Sequence, residues 1–302
     1  MLPQQRLGLL VVPTALLGII SNLLVIIATW KSRSLSDSFS MLTANESFFN
    51  LIHSLGHLLY IAPMIIFDSE GMMVNSWYCG IVLMVTYNAS IYAHLIISIN
   101  RFCAVFLPIT YMKLFDLRVT KLIILLSFFV ALIVFSYFNI IYNCSLSYLP
   151  KFWCFAIVGS PACDAYYFYG FFLEGLSIMF INLVLDLITV WKVSMMKKRI
   201  RGGQPQVASC EKKEIDCLKQ AFAQSCYGFL LLLSTYLLPL FVISTNTVNF
   251  LSTVIGWCLF HALDGIFVLC FNSEIRKSLI MKPKRSNIQV NSLVDGKGTS
   301  KT

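Results

Sequence analysis

The chain carries few groups able to do chemistry, and most of them sit in apolar surroundings. Its four histidines are His53, His57, His94 and His261. His53 and His57 are spaced i, i+4 and share one face of a helix. With His94 or His261 they could hold zinc, the arrangement of an intramembrane hydrolase. Neutral, hydrogen-bonded helix residues explain the same spacing, because no HExxH motif or acidic ligand pattern accompanies it. Glycine-rich phosphate loops, serine nucleophile elbows and CxxC pairs are missing too. No metal, cofactor or catalytic residue is therefore expected. The carboxylates Glu46, Glu174, Asp186 and Asp264 also fall in apolar runs, where a carboxylate needs a partner or a proton. A polar network of Asn22, Asn50 and Asp264 is the expected answer for Asp264. Arg101 poses the sharpest problem. An arginine at a membrane helix centre costs about 3 kcal/mol on insertion scales. The apolar stretch His94–Pro108 must therefore bring Arg101 to water or to a partner.

The elements that position these groups follow from composition. Of 302 residues, 58% are hydrophobic and 12% charged, against about 25% charged in soluble domains. Such a chain cannot cover a soluble surface, so an integral membrane protein is expected. Seven apolar runs cover about 7–30, 39–67, 78–102, 119–142, 165–191, 220–244 and 249–271, each near the ~20 residues that cross the hydrocarbon core. The first is too long for a signal h-region of about 7–15 residues. Pro63 predicts a kink or an extramembrane end in the second. With the N-terminus outside, cytoplasmic segments hold all of the 23 lysines and arginines except Arg6 and Lys151. This asymmetry orients the chain and places the net charge of +9 against anionic lipid, which argues against nucleic acid. Residues 272–280 read as a short amphipathic helix, capped by Asn272 or Ser273, with Ile275 and Leu279 on one face. The expected fold is thus an all-α membrane protein. It is a seven-transmembrane helix bundle over 1–280, N-terminus outside and C-terminus cytoplasmic, with a short amphipathic helix 8 and a disordered tail over 281–302. No internal repeat is present, which weakens a transporter reading.

Of the ten cysteines, Cys79, Cys144, Cys154 and Cys163 fall on the outer side, where disulfides persist. Joining Cys79 to Cys163 would pin the loop between the fourth and fifth helices over the bundle mouth, and this pairing is expected. Cys79–Cys144 and Cys144–Cys163 stay open.

The motifs resemble one family. Seven helices with an arginine at the inner end of the third look like a G-protein-coupled receptor. Gly18-Ile-Ile-Ser-Asn22 resembles the GxxxN of its first helix. His94-Leu-Ile-Ile-Ser-Ile-Asn100-Arg101-Phe102-Cys103-Ala-Val-Phe-Leu-Pro108 resembles the LNRFCAVFFP signature of the nematode class-x serpentine chemoreceptors, Srx. Cys144, Trp153 and Cys163 are similar to that family's outer-loop pattern, and Glu214-Ile215 with Gln220 to its entry into helix six. His261-Ala-Leu-Asp264-Gly265, Phe271-Asn272 and Glu274-Ile275-Arg276 resemble its ending. The resemblance spans roughly residues 10–280.

It implies a chemosensory receptor of the cell membrane, sited in sensory-neuron cilia, with a small-molecule ligand, a heterotrimeric G protein and the lipid bilayer as partners. Chosen by depth and side-chain type, the ligand contacts are Leu83, Tyr87, Asn88, Glu174 and Trp257. The inner half opens around Asn100, Arg101 and Phe102 when helix six swings on Pro239. Compared with rhodopsin-like receptors in general, Asn100 stands where an acid usually precedes the arginine, so Glu214 or Asp216 must supply any inactive-state lock. Asp264-Gly265 stands where Asn-Pro is usual, which leaves a helix-seven hinge to glycine's freedom. Leu83 stands where amine receptors place an aspartate, so a cationic amine is not the expected ligand. Asn100→Asp is expected to lower basal signalling in a reporter assay; unchanged or higher basal signalling would count against a restraining role for this neighbour.

Overall fold

The structure is a computed structural model that describes residues 2–31, 37–200, 219–235, 237 and 245–280. Arg33, most of the basic loop after the fifth run, Glu214, Asp216, Pro239 and the tail lie outside the described residues. Among those described, six helices are long and apolar enough to cross a membrane. They are α1 (Pro3–Lys31), α2 (Ser38–Ile66), α3 (Ser76–Phe106), α4 (Leu117–Tyr142), α5 (Ala162–Met196) and, after the partly described α6 (219–235), α7 (Asn246–Phe271). A short α8 (Ser273–Ile280) follows.

Three spanning helices widen locally into π turns, at His57–Ile61 in α2, Tyr166–Leu173 in α5 and Leu251–Ile255 in α7. The first has a local cause. Pro63 has no N–H for the carbonyl four residues back, and the widened turn just before it absorbs the mismatch. α3 is longer than its apolar run, because polar Ser76 opens it and Pro108 stops it. Arg101 therefore lies more than a turn inside the helix rather than at its end. α3 is also the most enclosed span, with 72% of its most apolar window buried against 17% in α4. The bundle is built around α3, and α4 faces outward. α8 starts at Asn272, whose side-chain oxygen accepts from the backbone N–H groups of Glu274 and Ile275, each at 3.2 Å, an N-cap. Ile275 packs with Val25, Ala28 and Val268 under the ends of α1 and α7.

The loop between α4 and α5 adds an element that the all-α expectation omits. β1 (Ser145–Leu149) and β2 (Cys154–Val158) form an antiparallel hairpin, in register from Ser145 opposite Val158 to Leu149 opposite Cys154. It lies on the start of α3. The Tyr148 N–H donates to Ser76 Oγ at 2.8 Å, and the Leu146 carbonyl occupies the place where a Cβ on Gly80 would sit. Gln4 of α1 donates from Nε2 to Tyr148 Oη at 2.6 Å.

The disulfide joins Cys144 to Cys163, with Cα atoms 5.5 Å apart, not Cys79 to Cys163. The hairpin explains the difference. Antiparallel pairing returns the chain after β2 to the residue before β1, and Gly159 makes the closing turn at φ 144°, a conformation open to glycine. Cys79 points the other way. It is buried with Ile61 and Leu83 in the core between α2 and α3. Cys154 is also free, and burial raises its thiol pKa, which keeps it protonated and unreactive.

Lys151 is exposed between the two bonded cysteines. Tryptic cleavage after Lys151 should leave two fragments joined until a reductant is added, in the wild type and in Cys79→Ala alike. Separation without reductant, or loss of the link in Cys79→Ala, would overturn the pairing.

Candidate functional site

The half of the bundle beneath the hairpin holds a cavity of about 60 Å³. α2 contributes His53 and His57, α3 contributes Leu83 and Tyr87, α5 contributes Phe171, and α7 contributes Trp257. Leu146, Phe155 and Ile157 of the hairpin roof it. The aromatic wall is packed around Tyr87, with Trp257 edge to face and Phe171 tilted. The Tyr87 ring lies 4.7 Å from Trp257 at 80° and 4.7 Å from Phe171, spacings at which aromatic pairs attract. Of the five residues expected to meet a ligand, Leu83, Tyr87 and Trp257 line this cavity, whereas Asn88 and Glu174 do not. Glu174 accepts instead from Tyr92 Oη at 2.6 Å, joining α5 to α3.

Below the cavity lies a polar centre. Each of four helices supplies two polar side chains one turn apart, so that both share a face: Glu46 and Asn50 on α2, Ser90 and His94 on α3, Gln220 and Gln224 on α6, His261 and Asp264 on α7. Asp264 is 1% exposed and Glu46 2%, so each carboxylate must be satisfied by protein groups. His94 Nε2 lies 3.0 Å from both Asp264 Oδ2 and Glu46 Oε1. Asn50 donates to Asp264 Oδ2 at 3.2 Å. Gln224 Nε2 reaches Glu46 at 3.3 Å and Asp264 at 3.4 Å. The Asn50 carbonyl accepts from Ser90 Oγ at 2.8 Å and pairs with His261 Nδ1 at 2.6 Å. An amide oxygen only accepts, so His261 carries its proton on Nδ1.

The expected network of Asn22, Asn50 and Asp264 is brought together only in part. Asn50 reaches Asp264, but Asn22 donates to the backbone carbonyls of Gly18 and His261, at 2.8 and 2.9 Å. It latches α1 to α7. Gly265 serves that latch. A Cβ there would meet Ser21 Oγ at 2.7 Å and the Asn22 backbone nitrogen at 2.9 Å, and α7 runs as regular helix from Gly256 to Phe271 across it. The observed use of Gly265 is close approach rather than a bend. Glu46, His94 and Gln224 complete the centre, and His94 joins the two carboxylates rather than His53 and His57, the candidate zinc set of the sequence. The pairing of Glu46, His94 and Gln224 with Asn50, Ser90 and Gln220 at i, i+4 was the available signal.

At the end of the bundle away from the hairpin, Arg101 is 8% exposed and its Nη2 lies 4.0 Å from Asp186 Oδ1 of α5. Ser225 of α6 donates to Asp186 Oδ2 at 2.9 Å. Asp186, which the sequence shows only as an intramembrane acid, thus ties α5 to both α3 and α6. Asn100 is buried, and its amide nitrogen has no hydrogen-bond partner among the described residues. Phe102 stacks on Phe106 with centroids 4.5 Å apart. The histidines divide into two sets. His53 packs on His57 and His261 with centroids 4.9 and 3.7 Å apart, while His94 joins the carboxylates.

Comparison with known proteins finds relatives over most of the chain. The family model described as "Serpentine type 7TM GPCR chemoreceptor Srx" matches residues 12–272. "Serpentine receptor class X 45" of Caenorhabditis elegans is 26% identical, covering 94% of this chain and 83% of the relative. "Serpentine receptor class X-43" of the same organism is 23% identical, covering 90% and 85%. Among solved structures, squid rhodopsin superposes with a TM-score of 0.71 over 91% of this chain and 84% of its own, at 15% identity. That likeness shows the fold.

Asn50→Ala removes one partner each from Asp264, Ser90 and His261, all buried. It should lower stability by about 3 kcal/mol, read from thermal unfolding of the purified protein. An unfolding midpoint unchanged from wild type would show that Asn50 does not hold the centre together.

Proposed function

The chain belongs to the Srx family of serpentine seven-transmembrane chemoreceptors, and we propose that it binds a small molecule in the outer cavity and activates a heterotrimeric G protein at its inner face. It is a multi-pass membrane receptor and not an enzyme. The observation that carries the proposal is a continuous line of contacts between the two ends. It starts with His57 and His53 in the cavity wall, passes from His53 to His261, and reaches Asp264 through Asn50. Asp264 meets His94 on α3, and α3 leads seven residues on to Arg101. A ligand that shifts the cavity wall thereby has a physical route to the inner ion pair.

No Lys, Arg, Asp or Glu lines the cavity, which fits an uncharged ligand. His53 adds a preference. Its Nδ1 pairs with Thr86 Oγ1 at 3.0 Å. The Thr86 hydroxyl points its own hydrogen at the Val82 carbonyl, at 2.7 Å. His53 Nδ1 is then the donor, and its Nε2, which has no hydrogen-bond partner among the described residues, is an acceptor. A ligand with one hydrogen-bond donor suits it.

In this reading the positive-inside charge pattern sets the N-terminus outside and the receptor in the cell membrane, including that of sensory cilia. Asn100, Arg101 and Phe102 face the G-protein groove. Asp186 restrains Arg101 in the resting state, alongside any contribution from Glu214 or Asp216, and Pro239 with Asp264 and Gly265 belong to the helices that move. Residues 1–280 act as the receptor domain, with 281–302 as its tail.

The test is expression in a heterologous cell with a promiscuous Gα and a panel of small molecules. Arg101→Ala should abolish signalling while surface expression persists, and Asp186→Asn should raise basal signalling. Normal signalling by Arg101→Ala would sink the role given to Arg101.

A further inference from the structure

We propose that Glu46, His94 and Asp264 form a binding site for one divalent transition-metal ion, of the zinc or cobalt type, which clamps α2, α3 and α7 together. The site is distinct from the ligand cavity and from the set of His53, His57 and His261. Its donor atoms all lie within 4.8 Å of one another, and every one of the three residues is buried.

Three physical arguments support an ion there. The first is hydrogen count. His94 Nε2 lies 3.0 Å from Glu46 Oε1 and 3.0 Å from Asp264 Oδ2, yet an imidazole nitrogen carries one hydrogen at most. One N–H can serve two carboxylates only as a shared three-centre bond, whereas a metal ion between the three atoms would meet each of them directly. The second is charge. Even with the imidazole protonated, two ionised carboxylates leave one negative charge over, whereas a divalent ion on the neutral imidazole would cancel both, in surroundings where an uncompensated carboxylate is costly. The third is geometry. Metal–ligand bonds of about 2.1 Å place neighbouring donors about 3.0 Å apart in an octahedral site and about 3.4 Å in a tetrahedral one. The two distances from Nε2 match the first and reach the second by shifts of a few tenths of an ångström.

The donor set selects the ion. One imidazole with two carboxylates suits zinc, cobalt or nickel better than magnesium or calcium, which take oxygen ligands. Gln224 stands ready as a fourth donor. Its amide now donates to both carboxylates, and turning it over would aim its oxygen at the ion. The outer shell exists as well, because Asn50 holds Asp264 Oδ2 from the side. A bound ion would fix α2, α3 and α7 in their present packing, so zinc should quieten the receptor. That last consequence rests on the proposed signalling function; the site itself does not.

The experiment uses the full chain, purified in nanodiscs with any affinity tag removed, and needs neither ligand nor G protein. Cobalt(II) is titrated and its visible absorption followed, then zinc is added as competitor. The expected result is saturation at one ion per chain, displacement by zinc, and a raised unfolding midpoint with metal bound. Glu46→Gln and His94→Gln should each weaken binding ~100-fold. Glu46→Gln keeps shape and hydrogen bonding, so it reads the site even if His94→Gln fails to fold. No saturable binding by the wild type, or equally tight binding by Glu46→Gln, overturns the proposal. A receptor silent in cells that still binds cobalt in this way leaves the site standing and counts only against the signalling function.

Discussion

A single buried carboxylate sets the terms for the bundle. Asp264 cannot be ionised in an apolar interior without donors around it, and the donors come from three other helices: Asn50 of α2, His94 of α3 and Gln224 of α6. Each contact fixes how one helix is rotated about its own axis. Lipid tails are as apolar as leucine, so apolar packing alone discriminates weakly between rotations of a membrane helix. The polar centre supplies the discrimination. With those four helices phased, the residues one and two turns outward fall into the cavity wall, and those inward bring Arg101 to Asp186.

The two ends are secured differently. At one, a covalent bond and a hairpin hold the roof, and the hairpin meets the bundle through its own backbone groups, at Ser76 and Gly80. At the other, side chains carry the ties that the described residues show: Arg101 faces Asp186 at 4.0 Å, Ser225 donates to Asp186, and α8 docks under α1, where Ser278 Oγ donates to the Ala28 carbonyl at 2.8 Å. In the proposed receptor, the ion pair is the tie that a rearrangement of this end would have to break.

Much of the architecture is legible in the sequence because hydropathy and helix length report it directly. The apolar runs, the cap at Asn272 and the isolation of Asp264 all follow from local patterns. What escaped is whatever depends on the relative rotation of separate helices. Asn22 and Asn50 look alike as intramembrane amides, yet one meets backbone and the other meets Asp264. The cysteine pairing escaped because it follows from a hairpin, and its strands, five residues each, carry no alternation strong enough to announce them. Asp186 could be named as an acid in need of a partner, but nothing local says that the partner is Arg101, 85 positions earlier.

The three π turns share a property that their positions in the chain do not suggest. Each sends a side chain into the cavity wall: His57 from the first, Phe171 from the second and Thr253 from the third. A residue inserted into an α-helix advances the phase of everything beyond it by about 100°. The segments of α2, α5 and α7 on the hairpin side of their π turns are therefore turned relative to the segments that hold the polar centre and the ion pair. The cavity wall draws on both: His53 and Trp257 come from the segments phased with the core, and His57, Phe171 and Thr253 from the turns themselves. The full set of wall residues meets in one place only because each of these three helices changes phase at the depth of the cavity.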